Sequence, residues 1–285
     1  RRWRTARSAA GAAIAVAWDV AVFAACAYLA FLLLWGLNYR RLPAEERFAV
    51  EPDRVTEERL VRLGEIAVER VNALYDARRD LRRFELEVLA TDLQAPFRRA
   101  VEALGQGWQP AHGRPKLSLV ARLFPFAGVD GLMNPFALEV MVNPEALPFE
   151  RPFLLAHEWA HLAGQARESD ASFVAWLTCV VGTRDMQYSG WLPALLHVRR
   201  SLPRPRGDAL LSKLEAGPRK DLEAIRRRLA RAEPLVTRAA WHVYDTYLRA
   251  NRVESGLANY DEAAMLILGS RLSDPYLPEP PPAAH

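Results

Sequence analysis

The chain has 285 residues and only two cysteines, Cys26 and Cys179, neither in a CxxC pair. That scarcity excludes a disulfide-stapled scaffold and a cysteine-ligated metal site. Cys26 lies in an apolar run and Cys179 in a helical stretch, so no bridge between them is expected. A large excess of one charge is also missing: 38 Lys and Arg face 34 Asp and Glu, for a net charge of +4 and a pI near 9.3. The basic surplus is arginine spread along several helices, without a recognisable nucleic-acid module, so nucleic acid is not expected as a partner. A solvated basic surface or attraction to anionic lipid accounts for it. No internal repeat occurs. Hydrophobic residues make up 51%, enough for a buried core. The first residue is Arg1, so further chain upstream is expected.

One long apolar run is present, "AGAAIAVAWDVAVFAACAYLAFLLLWGL" at 10–37, with Asp19 its single charge. About 20 apolar residues cross the hydrocarbon core of a bilayer. The run is too long for a signal peptide and ends in Trp35, Asn38 and Tyr39, which suit an interface. A membrane span is therefore expected, with a buried helix of a soluble protein as the alternative. Asp19 is expected near the headgroups or against a neighbouring helix. "RRWRTAR" before the run holds four arginines and "NYRRLPAEER" after it three. The positive-inside rule then puts the amino end in the cytoplasm and the rest outside it.

Beyond the run, apolar residues recur at helical spacing in 44–106. Gly and Pro punctuate 116–152, where two short strands or a hairpin are expected near 117–123 and 137–143. "FLLAHEWAHLAG" reads as a helix of about three turns stopping at Gly164, and a second helix starts near Glu168. Further helices are expected over about 190–202, 208–231, 234–250 and 260–271. The fold class is thus mainly α, with a small sheet. The expected division is a transmembrane segment with its basic flank at 1–43, a helical domain at 44–271 and a proline-rich disordered tail at 272–285.

The chemistry lies in "LLAHEWAHLAGQARESDAS", 154–172. Residues four apart on a helix sit about 40° apart and about 6 Å along the axis. His157 and His161 therefore point the same way and suit one shared zinc ion, which favours imidazole nitrogen. Glu158, beside the first histidine, is placed as general base toward a metal-activated water. A third ligand must come from elsewhere. Metzincins carry HExxHxxGxxH; Gly164 matches their glycine, but Arg167 stands where their third histidine would be. Membrane peptidases with HExxH often take a zinc glutamate from a following helix in an ExxxD pattern. "ESDAS" resembles it, with Glu168 in the ligand place and Ser172 for the final acid. Glu168 is the preferred third ligand; Asp170 is its competitor, or a carboxylate orienting a histidine. For the oxyanion donor, Tyr188 is the first candidate, ahead of Tyr244, His242 and Tyr260; each also suits a packing role. His112 and His197 read as ordinary histidines. The stretch 131–143 is a candidate edge strand for pairing with an extended substrate, with Glu139 and Asn143 as cleft residues.

"WGLNYRR", "GLMNPFALEVMVNPEALPF", "HEWAHLAGQARESDASFVAWLTC", "QYSGWLPAL" and "VYDTYLRANRVESGLANYDEAAMLIL" follow one another in this order. Over about 30–271 the chain resembles a bacterial membrane family known as domain of unknown function 3810, grouped with zinc-dependent peptidases. The resemblance implies a gluzincin-like, zincin-type metallopeptidase domain fixed to the inner membrane, with further spans upstream. His157, Glu158, His161 and Glu168 fall on its motif. Where members often have "REDEANF" this chain has "RESDASF", so Asp170 replaces a glutamate and Ser172 an asparagine. Three functions remain open. The first is a membrane-anchored zinc peptidase acting on protein or peptide. The second is a zinc-holding regulator or sensor with little proteolysis. The third is a helical scaffold carrying the motif by accident.

Overall fold

The computed structural model describes residues 9–42, 44–76, 86–105, 113–116, 118–238, 242 and 262–277. The apolar run forms one helix, α1 (Ala9–Leu34), long and apolar enough to cross a membrane. Asp19 is exposed along it. Its far end behaves differently. Phe31 and Trp35 are buried in the main core, so the boundary expected near 43 is not a free linker. The next residues run in a short 3-10 helix, Gly36–Arg40, laid against the folded unit.

Two amphipathic helices follow, α2 (Glu57–Leu74) and α3 (Leu86–Ala103). Thr56 caps α2 by accepting from the Arg59 N–H, and Glu57 and Glu58 complement the helix dipole. Leu60, Leu63, Ala67, Val71 and Leu74 form its buried stripe. The sheet is a two-stranded antiparallel hairpin, β1 (Gly131–Asn134) with β2 (Glu139–Val142), pairing Gly131 with Val142 and Asn134 with Glu139. The second expected strand is thus present, but its partner is not 117–123. Residues 120–127 are short helical turns instead, a 3-10 turn and then one α-turn. Ala121 and Phe124, three apart, pack on Met141 of the sheet. Helical spacing within a short apolar stretch had the look of strand alternation.

The helices that build the site come next: α4 (Arg151–Leu162) and α5 (Glu168–Val180). After them run α6 (Arg184–Ser201), α7 (Arg204–Ser212), α8 (Ala216–Leu229) and α9 (Glu262–Gly269). Every residue of α5 is buried, as befits a helix walled by α3, α4, α6 and α9. The protein is mainly α with a small sheet, as its sequence implies. The tail needs correction. Residues 271–276 form a 3-10 helix whose Tyr276 stands edge-on to Trp176, and Ser273 is fully buried. Those residues are docked, not loose; 278–285 lie outside the described residues.

Candidate metal centre

α4 begins with Pro152 in its first turn and ends at Gly164. The Gly164 N–H donates to the His161 carbonyl at 2.9 Å, and the Gln165 N–H to the Ala160 carbonyl at 2.9 Å. This bond pair is a Schellman stop, and Gly164 supplies its left-handed residue with φ of 86°. A Cβ there would also lie 2.5 Å from Asn38 Oδ1. The stop reverses the chain in a few residues, so α5 starts at Glu168 and its first turn returns to the histidines.

The segment leaving α1 braces that turn. Trp35 Nε1 donates to the His161 carbonyl at 2.8 Å, and Arg41 Nη1 donates to the Gly164 carbonyl at 3.1 Å. Arg47 bonds Gln165 Oε1 at 2.5 Å and forms an ion pair with Asp170. A cation at a helix C-terminus is favourable. By sequence Trp35 suits a lipid interface and Arg41 and Arg47 a basic membrane flank; nothing local links them to residues more than a hundred positions away.

The two histidines converge. His157 Nε2 lies 3.0 Å from Glu168 Oε2 and 3.1 Å from His161 Nε2, and His161 Nε2 lies 3.6 Å from Glu168 Oε2. Zinc bonded tetrahedrally at about 2.0–2.1 Å to each ligand would separate the ligand atoms by about 3.3 Å. The observed spacings bracket that value, so the donor set fits such an ion. The opposite ring nitrogens face away. His161 Nδ1 donates to the Gln165 carbonyl at 2.7 Å, which leaves the Nε2 lone pair for the shared centre. Ser172 Oγ stands 3.4 Å from His157 Nδ1. The serine that breaks the acidic pattern therefore occupies the orienting place itself.

Asp170 lies elsewhere. It is 1% exposed and paired with Arg47, so of the two carboxylates only Glu168 is turned toward the histidines. Tyr188 is also not brought to the cluster. It is fully buried, its hydroxyl donates to Asp221 Oδ2 at 2.7 Å, and its ring packs edge-on to Phe149 and Tyr75. A hydroxyl sealed on another helix is no donor for this site. Asn143 is likewise structural, its amide bonding the Val129 carbonyl and its oxygen taking the Glu145 N–H. Glu139 faces Lys116 at 3.8 Å. His242 is exposed and His197 is buried against Arg200; His112, Tyr244 and Tyr260 lie outside the described residues.

Glu158 is buried beneath β1. A Cβ at Gly131 would fall 2.3 Å from Glu158 Oε1, so glycine is what lets the strand cross the carboxyl. The other edge of β1 has no strand partner among the described residues. The hairpin base is fixed by Arg228 of α8, which bonds Asp130 at 2.5 Å and Glu150 at 2.7 Å. Gly131 opens the stretch expected to be an edge strand, whereas Asp130 lies outside every motif, and the fold places both near Glu158.

The electrostatics call for one positive charge at the centre. Burial pushes the Glu158 carboxyl up to about 8, with Glu168 adding to it and His161 opposing. Burial alone would lower both histidines. It does lower His157, whereas Glu168 beside His161 outweighs it and raises that ring to about 9. Burial would raise Glu168, yet the neighbouring His161 charge and the histidine hydrogen bonds hold it well below the usual carboxylate range. A proton on His161 thus sits where three donor atoms meet, the place a divalent cation suits.

These features define a class: a helical protein with, among the described residues, one membrane-compatible helix, followed by a segment packed onto a His-His-Glu cluster that could hold a metal ion. The chain belongs to the family described as protein of unknown function (DUF3810), whose model matches residues 2–268. No curated protein and no solved structure matches it.

Proposed function

We propose that the protein is a membrane-anchored zinc peptidase in which His157, His161 and Glu168 hold the ion and Glu158 is the general base. The observation that carries this reading is the convergence of two Nε2 atoms and one carboxylate oxygen within 3.0–3.6 Å, with Glu158 on the same helix. The chemistry that zinc supplies there is Lewis acidity, which lowers the pKa of water toward neutrality and polarises a carbonyl. Glu158, on the same helix as both histidines, would take a proton from attacking water and give it to the leaving amine. β1 crosses Glu158 at Gly131, and its edge, without a strand partner among the described residues, suits backbone pairing with an extended protein or peptide. α1 anchors the chain in the bacterial inner membrane, and its arginine-rich amino flank favours a domain outside the cytoplasm.

One observation favours a zinc-holding sensor as the second reading. The histidine side chains are only 12% exposed and Glu168 only 8%, which leaves a substrate little access. A single experiment decides. The chain is purified whole in detergent, because the segment after α1 is part of the core, and assayed for metal content and chelator-sensitive casein cleavage. One zinc per chain, with cleavage abolished by Glu158→Gln, supports the peptidase. Zinc without cleavage supports the sensor. Metal no higher than in His157→Ala rejects both.

A further inference from the structure

Phe31 lies inside the apolar run yet is 4% exposed, whereas Leu29 and Leu33 on either side are 57% and 79% exposed. α1 has 26 residues, about 39 Å at helical rise, enough to cross the hydrocarbon core of a bilayer with its last turns against the folded unit. Phe31 lies three residues, about 4.5 Å at helical rise, before the end of α1 at Leu34. What covers Phe31 is protein: its ring contacts that of Phe136, with centroids 6.3 Å apart. Phe136 is in the turn between β1 and β2, so the hairpin turn stands beside the carboxyl-terminal turns of α1.

The turn is built for that place. Residues 132–138 read LMNPFAL, with no charge. Phe136 is 54% exposed and Leu138 42%, each an apolar side chain facing outward. Backbone donors are costly in lipid unless bonded. Pro135 has none. The Phe136 and Ala137 N–H groups both donate to Asn134 Oδ1, at 3.0 and 3.3 Å, and the Leu138 N–H donates to the Asn134 carbonyl at 2.8 Å. One asparagine thus satisfies every N–H of the turn.

We infer that the Pro135–Leu138 turn is a second membrane contact, immersed in the bilayer that α1 crosses. The inference rests on reading α1 as a span. β1 is about 13 Å long, so Glu158, at its Gly131 end, is held about that far from the immersed turn. On the peptidase reading, β1 would then capture polypeptide leaving or lying on the membrane; the docking itself does not depend on that reading.

The test places an environment-sensitive fluorophore on single cysteines of the whole chain, in vesicles of phosphatidylcholine and phosphatidylglycerol with spin-labelled lipid. Cys179 is fully buried and stays unlabelled. Native Cys26, exposed on α1, reports the span. In a Cys26→Ala background, Phe136→Cys reports the turn and Glu223→Cys, exposed on α8, reports solvent. Glu223 is a surface side chain, and a Tm for Phe136→Cys close to that of the parent shows that loss of its contact with Phe31 leaves the fold intact. Lipid quenching is expected at 26 and 136 and not at 223. Quenching at 26 without quenching at 136 overturns the docked turn while leaving the span. No quenching at 26 overturns both. Shielding of 136 from aqueous iodide without lipid quenching points to a second copy on the patch and also overturns the inference.

Discussion

Gly131→Ala is the sharpest probe of how the fold positions the base. The glycine has no positive φ, so its backbone accepts alanine. The obstacle is space: the new methyl would lie 2.3 Å from Glu158 Oε1, 2.7 Å from its Cδ and 2.8 Å from its Cγ. Ordinary contact requires the carboxyl to retreat by about 1 Å, and a misplacement of that size costs a catalytic group on the order of 100-fold. The three nearest atoms all belong to Glu158, not to His157, His161 or Glu168. Cleavage should therefore fall about 10- to 100-fold in kcat with zinc content unchanged. Leu132→Ala, on the same strand at a residue 41% exposed, should leave both unaltered. The assays are chelator-sensitive casein cleavage and zinc analysis on the same preparations. Full activity with full zinc in Gly131→Ala would refute the assigned position of Glu158, and loss of zinc would refute the confinement of the effect to that side chain.

Other substitutions separate ligand from scaffold. Glu168→Gln should weaken zinc binding at least about 100-fold, as measured by competition with a chromogenic chelator. Asp170→Asn should retain zinc but lower stability by about 3 kcal/mol, because it leaves the Arg47 charge without its carboxylate; denaturant unfolding reads this. Gly164→Ala should cost about 2 kcal/mol, from strain at φ of 86° and crowding against Asn38, seen as a lower Tm. pH dependence separates metal-free from zinc-loaded chain. His161 is raised from 6.5 to about 9, so its contribution is complete below about 6.5 and lost as pH climbs through about 9; Glu158, raised from 4.5 to about 8, loses its own over the earlier window. Glu168, held low, sets the opposite limb, its contribution fading as the pH drops below about 4.5. Metal-free protein should thus lose stability between about pH 4.5 and 9, with the His161 part confined to the range above about 6.5 and on the order of 3 kcal/mol, while zinc should flatten that part. Thermal melts across pH, with and without zinc, check it.

How much of this was legible in the sequence depends on how local each signal is. The length of α4, its stop at Gly164 and the start of α5 at Glu168 follow from periodicity and end signals within a dozen residues. The identity of the carboxylate does not. Glu168 and Asp170 lie two positions apart on a helix and face nearly opposite ways, and the choice is tied to Arg47, far off in sequence. Tyr188 sat on a helix with apolar neighbours, and the fold used it for packing, bonded to Asp221, which no spacing rule connects to it. The hairpin was half legible: β2 shows strand-like residues, but its partner is separated from the helical turns at 120–127 only by contact with Met141. Trp35, Arg41 and Arg47 looked like a membrane flank because sequence shows proximity to a span and hides proximity to a helix end.

X-ray absorption at the zinc edge, on whole chain loaded with one equivalent, tests the central claim most directly. The account predicts nitrogen and oxygen neighbours at about 2.0–2.1 Å, with an imidazole signature that halves in His161→Ala. A sulfur shell, or a spectrum unchanged by His161→Ala, would contradict it.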